Sequence, residues 1–145
     1  IERTLDFAAA ASVAESVGVA QSMLAMTVEY LKTREQFGVK IGSFQALQHR
    51  AVEMYVEVEL LKSISAEASI RAEDDDAERT KAISAAKLQL ATGATFVSRA
   101  SIQLHGGVGV TDEHDIGLFF KRMQVLSVVG GDEVHHVRRY SEASV

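Results

Sequence analysis

The sequence has no cysteine, no proline and no tryptophan. Without cysteine there is no disulfide, no thiolate metal centre and no cysteine nucleophile. Without proline, no helix is obliged to kink or stop inside a periodic stretch. Cations are the minority charge, 15 Lys and Arg against 20 Asp and Glu, and the net charge of −5 argues against generic nucleic-acid binding. No apolar run reads as long enough to span a membrane. Glycine punctuates the chain without repeating as a linker, and no internal repeat is found. The first residue is Ile1 rather than Met, so the chain reads as one domain of a longer protein, and a missing signal peptide carries little weight.

What is present favours packed helices. Apolar residues make up 47% of 145 positions, with alanine prominent, enough for one domain with a core. From about Asp6 to Thr33, Val13, Val17, Ala20, Leu24, Val28 and Leu31 recur at steps of three and four and share one helical face. A second helix is expected from near Ser43, a plausible N-cap, with Phe44, Leu47, Ala51, Met54, Val58 and Leu61 on its stripe to about Ala72. "EDDDAE" (73–78) reads as a solvated turn whose acids suit the start of the next helix. That third helix runs to about Leu104 through Ile83, Leu90, Ala94, Val97 and Ser101. Gly93 interrupts it at a cost of about 1 kcal/mol against alanine, which suggests a close helix crossing. Gly106 and Gly107 end it. Thr111 or Asp112 is placed to cap a short helix over 116–126, and Asp132 or Glu133 starts a last one toward Arg139. "VLSVV" (125–129) is the one strand-like stretch and is too isolated to build a sheet. The expected fold is all-α: an antiparallel up-and-down four-helix bundle with a short extra C-terminal helix.

Generic bundle chemistry fits poorly. A di-iron centre needs Glu-x-x-His on two helices, and only Glu133-x-x-His136 has that spacing. "DEHD" (112–115) is read as a solvated turn and cap rather than a metal site. "GGVGV" (106–110) follows a helix and lacks a third glycine, so it is not a dinucleotide-binding turn after a strand. Two adjacent glycines still allow close backbone approach to a ligand. His49, inside the second helix, is read as a surface residue.

Three segments carry a more specific signal: "YLKTREQFGVKIGSFQALQHRAVEM", "QLHGGVGVTDEHDIGLFFKRMQ" and "GGDEVHHVRR". In order, spacing and length they resemble the C-terminal helical domain of acyl-CoA dehydrogenases, over essentially all of residues 1–145. Arg-x-x-Phe-Gly and Gln-x-x-Gly-Gly, about 70 residues apart, are the specific pair. The resemblance implies a larger subunit with an N-terminal helical domain and a middle β-domain, a homo- or hetero-tetramer, FAD at the interface and a cytoplasmic enzyme. The implied reaction is α,β-dehydrogenation of an acyl-CoA, with an electron-transfer flavoprotein as acceptor. It further implies that Arg34 reaches the pyrophosphate of a neighbouring subunit's FAD, where a planar fork of donors suits phosphate oxygens. Phe37 and Phe44 would pack near the cofactor, Gln36 and Gln45 would supply amide hydrogen bonds, and Gln103 with Gly106 and Gly107 would follow the adenosine half.

The sequence departs from the family where the family keeps its base. The usual Glu-Gly-Thr-x-Glu-Ile is matched by Val129-Gly130-Gly131-Asp132-Glu133-Val134. The base position becomes Val129 and the flavin-contacting threonine becomes Gly131. Gly130 remains a candidate substrate contact, and Gly131, Asp132 and Glu133 candidate cofactor contacts. A base on the first helix, as in some members, would fall near Ala8, with Asp6 and Glu2 close by. The usual Arg-Asp pair before this loop is Lys121-Arg122. The expectation is a subunit of a hetero-oligomer, of the kind used in actinobacterial sterol side-chain degradation, that lacks its own base and completes a partner's cofactor site. A homotetramer using Asp6 or Glu2, and a non-enzymatic helical interaction domain, are the alternatives.

Overall fold

The computed structural model describes all 145 residues. Helix α1 (Glu2–Thr33) leads into a hairpin of strands β1 (Glu35–Gln36) and β2 (Val39–Lys40), then a 3-10 turn over Ile41–Ser43. Helix α2 (Gln45–Arg71) follows. Helix α3 (Asp76–Gln89), a π-helical turn (Leu90–Ala94) and α4 (Thr95–His105) run on as one rod. A 3-10 turn over Gly106–Val110 precedes α5 (Ile116–Val128) and α6 (Glu133–Ala143). α1, α2, the α3–α4 rod and α5 form the all-α bundle, and α6 is the extra helix, laid along α3.

The core follows the expected periodicity on the α3–α4 rod, where Ile83, Leu90, Ala94, Val97, Ser101 and Leu104 are all buried. On α1 the buried face is rotated slightly from the apolar stripe. Ser16, Met23 and Thr27 are fully buried, while Val17, Leu24 and Val28 lie half-buried on the flank. The buried hydroxyls are satisfied by their own helix: Ser16 donates to the Val13 carbonyl and Thr27 to that of Met23. By length and composition α1 is apolar enough to cross a membrane, which corrects the reading that no such run exists. In the fold it packs against α2, α3, α4 and α5.

Several boundaries differ from expectation. The connector after α1 is a two-stranded antiparallel hairpin, with Glu35 opposite Lys40 and Gln36 opposite Val39. Phe37 (φ 55) and Gly38 (φ 79) form its tip, the positive-φ pair that a two-residue hairpin turn demands. Ser43 does not cap α2: its hydroxyl donates to the Lys40 carbonyl, and Phe44 occupies the N-cap position without a side-chain bond. Neither Thr111 nor Asp112 caps α5; the Ile116 N–H is taken by His114 Nδ1. "VLSVV" is mostly the last turns of α5. Other signals hold. Asp75 caps α3 through the Glu78 N–H, and Asp132 caps α6 through the His135 N–H. Gly93 sits in the π-turn with no room for a Cβ, because the Gln89–Glu57 hydrogen bond of 2.7 Å from α2 fills that space.

A set of buried polar groups fixes α6 and the loop before it. The Asp6 carboxylate, 1% exposed, accepts from Arg79 Nε at 3.1 Å on one oxygen and from Arg139 Nη1 at 2.8 Å on the other. It therefore ties α1 to α3 and α6. Arg79, itself buried, also donates to the Asp74 carbonyl and to the Asp76 carboxylate. Lys87 is 1% exposed, and its ammonium donates to the Leu126 carbonyl at 2.8 Å and the Val129 carbonyl at 2.7 Å. Burial pushes its pKa down to about 8. His136, fully buried, donates from Nε2 to the Gly130 carbonyl at 3.0 Å and shares a 3.3 Å hydrogen bond between Nδ1 and the Ser84 hydroxyl. Burial pushes its pKa down to about 4.

Two measurements test this arrangement. Asp6→Ala strands a buried guanidinium and should destabilise the fold by about 3–5 kcal/mol in urea unfolding. His136 favours its neutral form only when folded, so the unfolded chain binds more protons between pH 4 and 6.5. Its contribution is complete above pH 6.5 and is lost as pH falls toward 4, by at most about 3 kcal/mol. The stability gap between wild type and His136→Gln should therefore shrink on acidification through that window.

Candidate functional site

The hairpin, the end of α4 and the turn after it converge on one cleft of about 450 Å³ lined by Arg34, Gln36, Gln103, Gly106 and Gly107, with Tyr30 and His105 beside them. The α1 C-terminus delivers Arg34, whose extended backbone (φ −69, ψ 131) turns the chain into the hairpin. The Arg34 carbonyl accepts from the Ile41 N–H at 2.9 Å, which closes that corner. Arg34 is exposed and takes part in none of the ion pairs, so its guanidinium is available to an anion. Gly106 ends α4 with φ 61, and a Cβ at Gly106 or Gly107 would meet nothing within 4 Å. Packing does not require Gly107; the open space is room for something to lie against the backbone. Two amides, one guanidinium and a bare glycine floor are a donor set suited to a pyrophosphate and its sugar, so these residues fit FAD.

Phe37 stands at the hairpin tip, 91% exposed, with its ring edge-on to Phe44 at 6.2 Å. A bulky residue at positive φ is uncommon and costs backbone energy. Gln45 is the first residue of α2; it is exposed and does not line the cleft.

The second group of expected residues lies elsewhere. Gly130 and Gly131 line a separate cavity of about 280 Å³ with Glu2, Leu5, Asp6, His135 and Arg139. A Cβ on Gly130 would stand 3.2 Å from the Ala9 Cβ, so the loop rests directly on α1. The two positions where the resemblance places a base, Val129 and the neighbourhood of Ala8, thus meet at one place. Neither Val129 nor Ala8 can accept a proton, and both Asp6 oxygens are occupied by guanidinium groups, which argues against Asp6 as a base. Glu2 is exposed and in no ion pair. Gly131 has φ 116, and a Cβ there would collide with His135 and lie 2.8 Å from His136 Nε2. The threonine of the usual motif does not fit this loop. Asp132 serves as the α6 cap, and Glu133 faces a groove between α2 and α4. Arg122, in the irregular Lys121-Arg122 pair, binds Glu15 of α1 at 2.7 Å.

Sequence reasoning missed Lys87, Arg79, His105 and His136. Lys87, Arg79 and His136 are polar residues on helices whose apolar neighbours carried the periodic signal, and nothing in a single sequence distinguishes a buried lysine from an exposed one. His105 donates from Nδ1 to the Ser101 carbonyl at 2.8 Å and stacks on Tyr30 at 4.5 Å, forming the wall behind Gln103. Burial lowers its pKa.

Residues 1–143 match the family model described as acyl-CoA dehydrogenase, C-terminal domain. The chain is 40% identical over 117 residues to acyl-CoA dehydrogenase IpdE2 of Mycobacterium tuberculosis, covering 81% of this chain and 35% of that protein. It is 35% identical over 139 residues to acyl-CoA dehydrogenase FadE34 of the same organism, covering 95% of this chain and 20% of the relative. Among solved structures, the Tcur3481-Tcur3483 steroid ACAD G363A variant superposes with a TM-score of 0.93 at 34% identity, covering 99% of this chain and 40% of that one. The ChsE4-ChsE5 complex from Mycobacterium tuberculosis gives 0.88 at 29% identity, covering 95% and 37%. The chain spans two fifths or less of each of these four proteins. With a family model covering nearly the whole chain, the chain belongs to the acyl-CoA dehydrogenase family, as its C-terminal domain.

Proposed function

We propose that this chain is the C-terminal bundle of a cytoplasmic FAD-dependent subunit acting in α,β-dehydrogenation of an acyl-CoA. In this reading it completes the flavin site of a homologous partner subunit and lacks a base of its own. The observation that carries the reading is the division between two cavities. The cleft keeps its cation free and its glycine floor bare, while Val129 stands at the family's base position and the Asp6 carboxylate in the adjoining cavity is already bound by two guanidiniums.

In the cleft, Arg34 presents two parallel N–H groups to pyrophosphate oxygens, a charge-assisted contact about twice as strong as a neutral one. Gln36 and Gln103 offer amide donors and acceptors to the neighbouring sugar hydroxyls. Gly106 and Gly107 let the ligand approach the backbone. Phe37 and Phe44 offer an exposed aromatic corner to the flavin end. Bound FAD supplies the hydride acceptor. Removal of the α-proton needs a carboxylate within hydrogen-bond reach, and Val129 leaves that task to the partner. Two similar solved structures have names that pair two components, and one of those names refers to a steroid. These names support a heteromer and a bulky polycyclic acyl group as substrate. An electron-transfer flavoprotein is the proposed acceptor.

One observation favours a second reading. Glu2 lines the base-position cavity and has no partner, so a homo-oligomer could use it as base. Full-length subunit expressed alone and together with its homologous partner separates the two. On the first reading, turnover of acyl-CoA appears only in the co-expressed complex, and Glu2→Gln leaves it within about twofold. Turnover by the protein alone, abolished by Glu2→Gln, would establish the second instead. In the complex, Arg34→Ala should weaken FAD retention by about tenfold or more, as expected for loss of a hydrogen-bonded charge. Unchanged retention would refute the assignment of the cleft.

A further inference from the structure

Three rings from three elements meet behind the glycine floor of the Arg34 cleft. Tyr30 of α1 stacks on His105 of α4 at 4.5 Å between ring centroids. His114, from the loop before α5, stands 4.6 Å from His105 and edge-on to Tyr30 at 6.4 Å. The turn that carries Gly106 and Gly107 joins the two histidines along the chain. It is packed hard on His105, because a Cβ on Gly109 would stand 3.1 Å from the His105 Cβ and 2.7 Å from the Ile102 carbonyl.

Both imidazoles are wired in their neutral form. His105 is 2% exposed and gives its Nδ1 proton to the Ser101 carbonyl at 2.8 Å. Its Nε2 is buried without a hydrogen-bond partner. A proton placed there would be a donor with no acceptor on a buried cation. Half-buried His114 accepts at Nδ1 from the N–H of Ile116, the first residue of α5, at 3.1 Å. Protonating that nitrogen breaks the bond and sets a cation at the positive end of a helix. The titratable and charged groups around the rings are Tyr30 of α1, Arg34 on the cleft side, Asp112, Glu113 and Asp115 of the loop, and Lys121 of α5. None of the three carboxylates bonds to either ring, and no cluster of acids gathers on the pair.

A histidine that is neutral while the turn is closed and free to charge when it opens binds more protons in the open state. Closure is therefore favoured in full above about pH 6.5 and weakens as pH falls below it. Burial lowers the pKa of His105 in the closed form, which has the same sign. We propose that Tyr30, His105 and His114 form an acid-sensitive latch on the cofactor floor: neutral rings hold the 106–115 turn against α4, and proton uptake opens it and releases the flavin. The histidines are positioning residues, and the proposal rests on the reading of the Arg34 cleft as the flavin site.

The full-length subunit, assembled with its partner and stripped of flavin, is titrated with FAD at pH 7.5 and 5.5. Affinity should fall about tenfold or more at the lower pH. His105→Phe keeps a flat ring in the stack, His114→Asn keeps a side-chain acceptor for α5, and neither replacement takes up a proton. The double variant should hold at pH 5.5, within about twofold, the affinity it shows at pH 7.5. If it does not assemble, hydrogen exchange of the wild-type flavin-free complex carries the test. After correction for the intrinsic effect of pH, amides of residues 106–116 should lose protection about tenfold at pH 5.5 while those of α2 keep theirs. A wild-type affinity that ignores pH, a double variant as acid-sensitive as wild type, or unchanged protection of the turn overturns the proposal. If Arg34→Ala leaves FAD affinity at pH 7.5 unchanged, the cleft reading falls; the exchange of the turn, measured without flavin, still decides whether the histidines latch it.

Discussion

The Asp6 carboxylate, held between Arg79 and Arg139, is the contact on which the placing of α6 and the loop before it most depends. It joins the first, third and last helices at one buried point. A carboxylate taken out of water is tolerated only when it is paired and hydrogen-bonded, and here both of its oxygens are. The consequence reaches the loop beside it. With α6 pinned to α3, His136 faces the Gly130 carbonyl, and Lys87 reaches across from α3 to two more carbonyls at the end of α5. Three carbonyls around one short loop are thereby held by side chains of the bundle. The same contact argues against Asp6 as a base, because its buried carboxylate is already held by two guanidinium groups.

Much of the fold was legible in the sequence because it is written in periodic apolar residues and in caps. The α3–α4 stripe lies buried as its spacing required, and Asp75 and Asp132 cap the helices they precede. Failures arise where the deciding interaction is not periodic. Ser43 looked like a cap, but the hairpin turns the backbone earlier and its hydroxyl bonds Lys40 instead. The hairpin itself was hidden because its strands are two residues each and its tip uses phenylalanine, not the usual asparagine, at positive φ. On α1, Ser16 and Thr27 occupy the core centre because helical back-bonding satisfies their hydroxyls, a condition that hydropathy does not register.

In the candidate site, Arg34, Gln36, Gln103, Gly106 and Gly107 were singled out by the resemblance to the family, each being ordinary alone, and the fold brings all five to one cleft.

The loop at the base position shows why its departure from the family pattern is structural rather than a single lost residue. Gly130 lies on Ala9 and Gly131 has φ 116 with His135 and His136 closing the space around it. A threonine at 131 would need both the backbone and His136 to move, and His136 is held by Gly130 and Ser84. The two glycines and the buried His136 are therefore mutually consistent, each fitting the space that the others leave. The loop leaves no room for a threonine at 131, while the Arg34 cleft, which shares no lining residue with the cavity beside that loop, keeps its free cation and open floor. That difference between the two places is what the proposal of a base-lacking subunit rests on.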